Sequence, residues 1–142
     1  MPKMEKALTL NVPIETVFSY VINPANMVEW LPGMTQVTNI VGLGKGQHFN
    51  WTYKMVGMTM HGQSEVTEYV ANRHIVVKST GGITSTWTWD FSGDSNKTSV
   101  NLVVDYAVPV PVVGRIAERL VLHQNEREAE LAMTNIKGRL EG

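Results

Sequence analysis

Turn signals cut residues 35–108 into short pieces at Gly42/Gly44/Gly46, Gly57, Ala71-Asn72, Gly81-Gly82 and Gly93-Asp94-Ser95-Asn96. No piece carries a helical period, and none leaves room for the crossover that a parallel strand pair needs. The spacing therefore predicts about six consecutive antiparallel strands in one strongly curved sheet. Side chains alternate along a strand, so parity assigns each to a face. Phe49, Trp51, Tyr53 and Met55 share one face against His48, Asn50, Thr52 and Lys54. Ile83, Ser85, Trp87, Trp89 and Phe91 stand against Thr84, Thr86, Thr88 and Asp90. Val100, Leu102, Val104, Tyr106 and Val108 stand against Asn101, Val103 and Asp105. One side of the sheet is apolar and aromatic, and the other is wet.

The flanking segments read as one more strand and as helices. Residues 3–11 alternate, with Met4, Lys6, Leu8 and Leu10 against Glu5, Ala7 and Thr9, which predicts a strand. Asn11 is placed to cap a helix that has Pro13 near its first turn and Glu15 close behind. Ile14, Val17, Phe18, Val21 and Ile22 then recur at i, i+3, i+4, i+7 and i+8, one face of a helix. Pro24 stops that helix, a short second one runs to about Trp30, and Leu31-Pro32-Gly33 turns the chain into the strands. After Pro109-Val110-Pro111, residues from about 112 to 140 contain no proline and read as one long helix. Its apolar stripe is uneven. Val113, Ile116, Ala117 and Leu120 line one side and Leu131 returns to it, while Ala132, Ile136 and Leu140 lie further round and Gln124, Arg127 and Glu128 interrupt. A bend or a change of partner near the middle is expected, with the first half over the concave side of the sheet and the second half against the first strand.

This order of elements resembles the START/polyketide-cyclase-like superfamily (SRPBCC). The resemblance is carried by the stretch from Val12-Pro13 to Pro32-Gly33, by Ser64-Glu65-Val66-Thr67-Glu68 and by Asn135-Ile136-Lys137, and it spans nearly the whole chain. It implies an α+β helix-grip fold in a single domain of residues 1–142: a curved antiparallel sheet of about seven strands wrapped around a long C-terminal helix, with two short helices after the first strand. It also implies an internal apolar cavity, and ligand cavities of this kind hold about 300–1,000 Å³. The chain has no Rieske-type cluster signature, so the ring-hydroxylase branch is excluded, and no plant-allergen phosphate-like loop is evident. Gly42-Leu43-Gly44-Lys45-Gly46 lacks the Lys-Ser or Lys-Thr of a phosphate loop and reads as the inter-strand turn that such relatives commonly carry.

Bulk properties narrow the function further. A chain of 142 residues suits one domain with one sizeable core. With 12 basic and 13 acidic residues and no run of like charge, nucleic acid is not an expected partner. The absence of cysteine excludes a disulfide framework, a thiolate metal site and a cysteine nucleophile. Met1-Pro2-Lys3-Met4-Glu5-Lys6 leads straight into the alternating run, and no stretch reaches membrane-spanning length, so a soluble, cytoplasmic protein with no membrane insertion is expected. His48, His61, His74 and His123 do not pair with each other or with an acid at the spacing of a helical metal site, and neither a metal nor a cofactor is expected. His61 points outward in this register, unless a bulge at Gly57 or Gly62 turns it in.

The candidate ligand-binding set follows from parity and from the two covering helices. It comprises Trp30, Met34, Trp51, Tyr53, Met55, Met60, Ser85, Trp87, Trp89 and Tyr106, with Ile116, Leu120, Gln124 and Arg127 from the long helix. Eight methionines and four tryptophans suit either a core or a pocket that accepts varied shapes. Arg127 is either a snorkelling surface residue or a cation at the cavity ceiling that holds a ligand carboxylate or phosphate. Catalysis needs a titratable group within reach of the reacting atom. The inward set offers only poor bases such as Ser64, Ser79, Ser85, Tyr53 and Tyr106, so no catalytic residue is assigned. The expected function is binding of a small hydrophobic molecule, a lipid, isoprenoid or polyketide-like compound, without turnover. The alternatives are a cyclase/dehydrase acting on such a molecule, and a protein-interaction module of the Hsp90-activator-like type.

Overall fold

The computed structural model describes residues 3–55, 57–81, 84–107 and 110–141, the side chains of residues 110–122 excepted. Strand β1 (Lys3–Leu10) leads into α1 (Ile14–Ile22), a 3-10 turn (Pro24–Asn26) and α2 (Met27–Trp30). Six strands follow: β2 (Met34–Val41), β3 (His48–Met55), β4 (Met58–Val70), β5 (His74–Gly81), β6 (Thr84–Gly93) and β7 (Thr98–Ala107). The long helix α3 (Val110–Glu141) closes the chain. The strands form one seven-stranded sheet in the order β1-β7-β6-β5-β4-β3-β2, antiparallel throughout. This is the α+β helix-grip arrangement expected from the sequence, with two short helices after the first strand.

Strand parity places the inward residues as the alternation predicts. Phe49, Trp51 and Met55 on β3, Ser85, Trp89 and Phe91 on β6, and Val100, Leu102, Val104 and Tyr106 on β7 are buried. Ile83 and Val108 lie outside the described residues. The inner face of β4 changes parity at one point. A bulge lies between Val66, paired with Val77, and Glu68, paired with Val76. One extra residue shifts the alternation by one, so Tyr69 comes round to the core edge-on to Phe18, with ring centroids 5.6 Å apart.

Helix α1 packs its predicted face, and Ile14, Val17, Phe18 and Val21 are buried. Its start differs from expectation: the N-cap is Pro13, not Asn11, and no side chain caps it. The Ile14 N–H donates instead to the Asp94 carbonyl in the β6–β7 turn at 3.1 Å. The Asn11 N–H donates to the Glu141 carboxylate at 2.8 Å, tying the entry of α1 to the end of α3. The orphan donors of a helix start need partners, and here a turn distant in sequence supplies one.

The second half of α3 lies along β1, as expected. Lys6 reaches Glu126 at 2.7 Å and Glu130 at 3.4 Å, and Lys137 donates to the Thr9 carbonyl at 3.0 Å. Asn125, Glu128, Ala129, Ala132, Met133 and Ile136 are its buried residues, a face of i, i+3, i+4 spacing. Leu131, read as part of the buried stripe, is exposed. At 3.6 residues per turn it lies beyond the Glu128 edge of the buried arc and so turns outward. The expected cover by the first half of α3 rests on residues 110–122, whose side chains lie outside those described. Among the described residues, no helix is long and apolar enough to cross a membrane.

Candidate functional site

Register across the sheet explains where the concave face is hollow. Phe49 pairs with Ser64, Ser64 with Ser79, Ser79 with Ser85 and Ser85 with Tyr106. A row of buried serines therefore crosses the middle of the sheet between two large rings. The next row on one side begins with Trp51 opposite Gly62, itself opposite Gly81. The next row on the other side runs Val66, Val77, Trp87, Val104 and Met4. Small side chains under a curved sheet leave volume that their neighbours do not fill.

That volume is a cavity of about 80 Å³. Its floor is the serine row. Trp51, Tyr53, Met55 and Trp87 form the sides, and Met27, Leu31, Met34, Asn125, Glu128 and Ala129 cover it from α2, β2 and α3. A second hollow of about 40 Å³ shares Met27, Ser64, Ser79 and Trp87 with the first and continues toward Trp30 and Trp89. The cavity is well below the range expected for a ligand pocket, because indole rings occupy the space. Trp87 stacks on Trp89 with centroids 6.3 Å apart, and Trp30 meets Trp89 edge-on at 5.7 Å. The methionines are the walls best able to yield, since a thioether chain changes rotamer at little cost.

The hydroxyls on the floor are partly satisfied by one another. Ser64 and Ser79 share a hydrogen bond of 2.6 Å, and Trp87 Nε1–H donates to Ser85 Oγ at 3.1 Å. Trp30 Nε1 is the one buried side-chain nitrogen or oxygen without a partner among the described residues. Glycine is required at Gly62, where a Cβ would stand 2.2 Å from Trp51 Cζ2. The Trp51 ring therefore lies directly over the backbone of β4.

The charged group of the lining was not among the residues expected from the sequence. Glu128, read as an interruption of the α3 stripe, is 5% exposed and lines the cavity. Its Oε1 accepts a hydrogen bond from the Gly33 N–H. A Cβ at Gly33 would meet the Tyr53 ring at 2.6 Å and Glu128 Oε1 at 2.9 Å, so glycine makes this approach possible. Tyr53 stands beside the same carboxylate. Burial first, then the Glu128 charge and a hydrogen bond to it, push the phenol well above its ordinary pKa, so Tyr53 is a protonated donor at neutral pH. Burial likewise raises Tyr106, while a hydrogen bond with Asn125 opposes the shift. The helical period contained the signal for Glu128, which is one and two steps of four from the buried Ala132 and Ile136.

Other expected residues fall in different places. Met34, Trp51, Tyr53, Met55, Ser85, Trp87 and Tyr106 line the main cavity, and Trp30 and Trp89 line the adjoining hollow. Met60 and Gln124 are half-buried and lie outside both linings. Arg127 is exposed, so it is no cation at the cavity ceiling, because the helix turns position 128 inward and carries 127 to solvent. The side chains of Ile116 and Leu120 lie outside those described. His61 points outward, bonded to Thr52 Oγ1 at 3.1 Å. Among the described residues, no cluster of metal-ligating side chains occurs.

Comparison with known proteins agrees with this architecture. A structure from Thermus thermophilus superposes with a TM-score of 0.82 at 17% identity, covering 99% of this chain and 97% of that one. The Zhui aromatase/cyclase from a Streptomyces species gives 0.81 at 17% identity, with coverage of 99% and 93%. A START superfamily protein from Mycobacterium smegmatis gives 0.79 at 16%, with coverage of 98% and 97%. At such identities the likeness shows the fold alone. No curated protein sequence matches significantly. The family model described as polyketide cyclase / dehydrase and lipid transport matches residues 1–141, and the chain, with its sheet curved beneath a long C-terminal helix, belongs to that family within the SRPBCC/START-like superfamily.

Proposed function

We propose that this protein binds a small, mainly apolar molecule in the hollow over the serine row. The observation that carries this reading is a partly empty space at the centre of the fold, walled by aromatic and thioether side chains with a few polar groups, the usual make-up of a ligand site. Membership of a family described by cyclase, dehydrase and lipid-transport activities supports it. The small volume favours a ring-sized guest, or a longer one that displaces the methionines. Native mass spectrometry of the purified protein tests the reading: a retained apolar compound is expected, lost from a Trp51→Ala variant. A protein that neither carries nor takes up any apolar compound would refute it.

A second reading rests on the Glu128–Tyr53 pair. A buried carboxylate beside a protonated phenol places an acceptor and a donor of protons at one wall, the components of general acid–base chemistry. Cyclisation with loss of water needs both, and a cyclase/dehydrase would use Glu128 to remove a proton and Tyr53 to supply one. Turnover of a poly-β-carbonyl substrate, abolished by Glu128→Gln, is the expected result of that reading.

A further inference from the structure

Glu128 is the single charged residue among the described lining of the cavity, and no cation offsets it among the described residues. Lys6 pairs with Glu126 and Glu130, Lys137 with Glu141 and Arg139 with Glu29, and Arg127, next to Glu128 in sequence, faces solvent. Gly33 N–H and Tyr53 hold the carboxylate in place, but as neutral groups they do not cancel its charge. A buried charge is costly unless paired. Part of the remaining wall is aromatic. Trp51 and Tyr53 stand edge to face at 6.5 Å, and Trp87 and Tyr106 complete the aromatic wall. The faces of such rings attract cations.

We infer that the hollow selects its guest by charge, taking a small amine whose ammonium group sits at Glu128 and whose apolar body lies against the tryptophans and methionines, and rejecting carboxylates of the same shape. This rests on the ligand-binding reading above and narrows it. The cavity has the acidic polarity opposite to that of a site built around an arginine, so fatty acids and other anionic guests meet repulsion at Glu128. The ammonium replaces the missing counter-charge and makes charge-assisted hydrogen bonds, the stronger kind.

The test is a calorimetric titration of the full chain with three probes of similar shape: 2-phenylethylamine, 2-phenylethanol and 3-phenylpropionate at pH 7. The amine is expected to bind at least about tenfold more tightly than the alcohol, a factor worth 1.4 kcal/mol, and the acid most weakly. Glu128→Gln keeps an acceptor for Gly33 N–H, and it should abolish the preference for the amine over the alcohol. Tyr53→Phe keeps the charge and should retain the order of the three. If the acid binds as tightly as the amine, or the order survives Glu128→Gln, the inference is overturned while the cavity reading stands. If none of the probes binds the wild-type protein, the inference is overturned, and the cavity reading is decided by the mass spectrometry described above. The wild-type comparison decides the matter even if a variant does not fold.

Discussion

Strand β6 runs through two differently built regions of the concave face. Toward its end, Phe91 meets Phe18 of α1 with centroids 5.0 Å apart and stacks on Trp89 at 6.2 Å, giving interlocked rings. Toward its start, Ser85 faces the cavity in line with Ser79 and Ser64. The backbone ladder is continuous across both regions. The difference teaches that the hollow comes from side-chain size, row by row, and not from a gap between elements. The serine row lies beneath the cover of α2 and α3, and Phe91 packs against α1.

The largest expected effect belongs to the packed region. Trp89→Ala removes a buried ring that three others touch, and should lower unfolding free energy by about 3–5 kcal/mol in a urea titration. A cost under about 1 kcal/mol would mean that this region is as loose as the hollow. Gly33→Ala comes next, at about 1–3 kcal/mol, because its methyl collides with Tyr53 and Glu128. The same variant should weaken probe binding, since it displaces the carboxylate.

Ser79→Val sharpens the comparison from the other side. It removes the bond to Ser64, worth about 1 kcal/mol, and offsets part of that loss by burying apolar surface. The protein should melt near the wild-type temperature yet bind 2-phenylethanol at least about tenfold more weakly. Unchanged binding would show that the serine row is not the floor of the site.

The smallest effect concerns the sheet's outer face below the packed region. His74 bonds Asp90 at 2.7 Å and Glu68 at 3.0 Å, bridging β4, β5 and β6. Its pKa is raised above 6.5, chiefly by the hydrogen bond to Asp90 and then by that to Glu68. A raised folded-state value means the clamp contributes fully below about 6.5, the unfolded value, and fades as pH climbs through the folded-state one. Because the groups are partly exposed, the contribution should stay under about 1 kcal/mol. Denaturant midpoints measured from pH 6 upward should fall slightly more in wild type than in His74→Gln, and parallel profiles would show that the clamp contributes nothing.

The sheet was legible because its period of two is local: Trp51, Trp87 and Tyr106 could be assigned to one face from neighbours alone. Glu128 was not legible in the same way. Which side of a helix meets a sheet depends on docking, and on α3 Gln124 and Arg127 were the polar positions expected to face inward, with Glu128 an interruption of the stripe. The buried pair Ala132 and Ile136 marks the correct side, yet a glutamate on a core stripe reads as an interruption until Gly33 N–H and Tyr53 are seen beside it. The β4 bulge that brings in Tyr69, and the Asp94 carbonyl that serves α1, likewise arise from contacts distant in sequence. The small volume was hidden for a related reason, since parity says which rings point inward and not how they stack.

The central claim is that the space over the serine row admits a guest. Four of the eight methionines, Met4, Met27, Met34 and Met55, line it, while Met133 is buried outside its lining. Methyl NMR of methionine-labelled protein titrated with 2-phenylethanol should show those four signals moving together and saturating, with Met133 unmoved. Signals that stay fixed throughout, or shifts spread evenly over all methionines, would contradict the account.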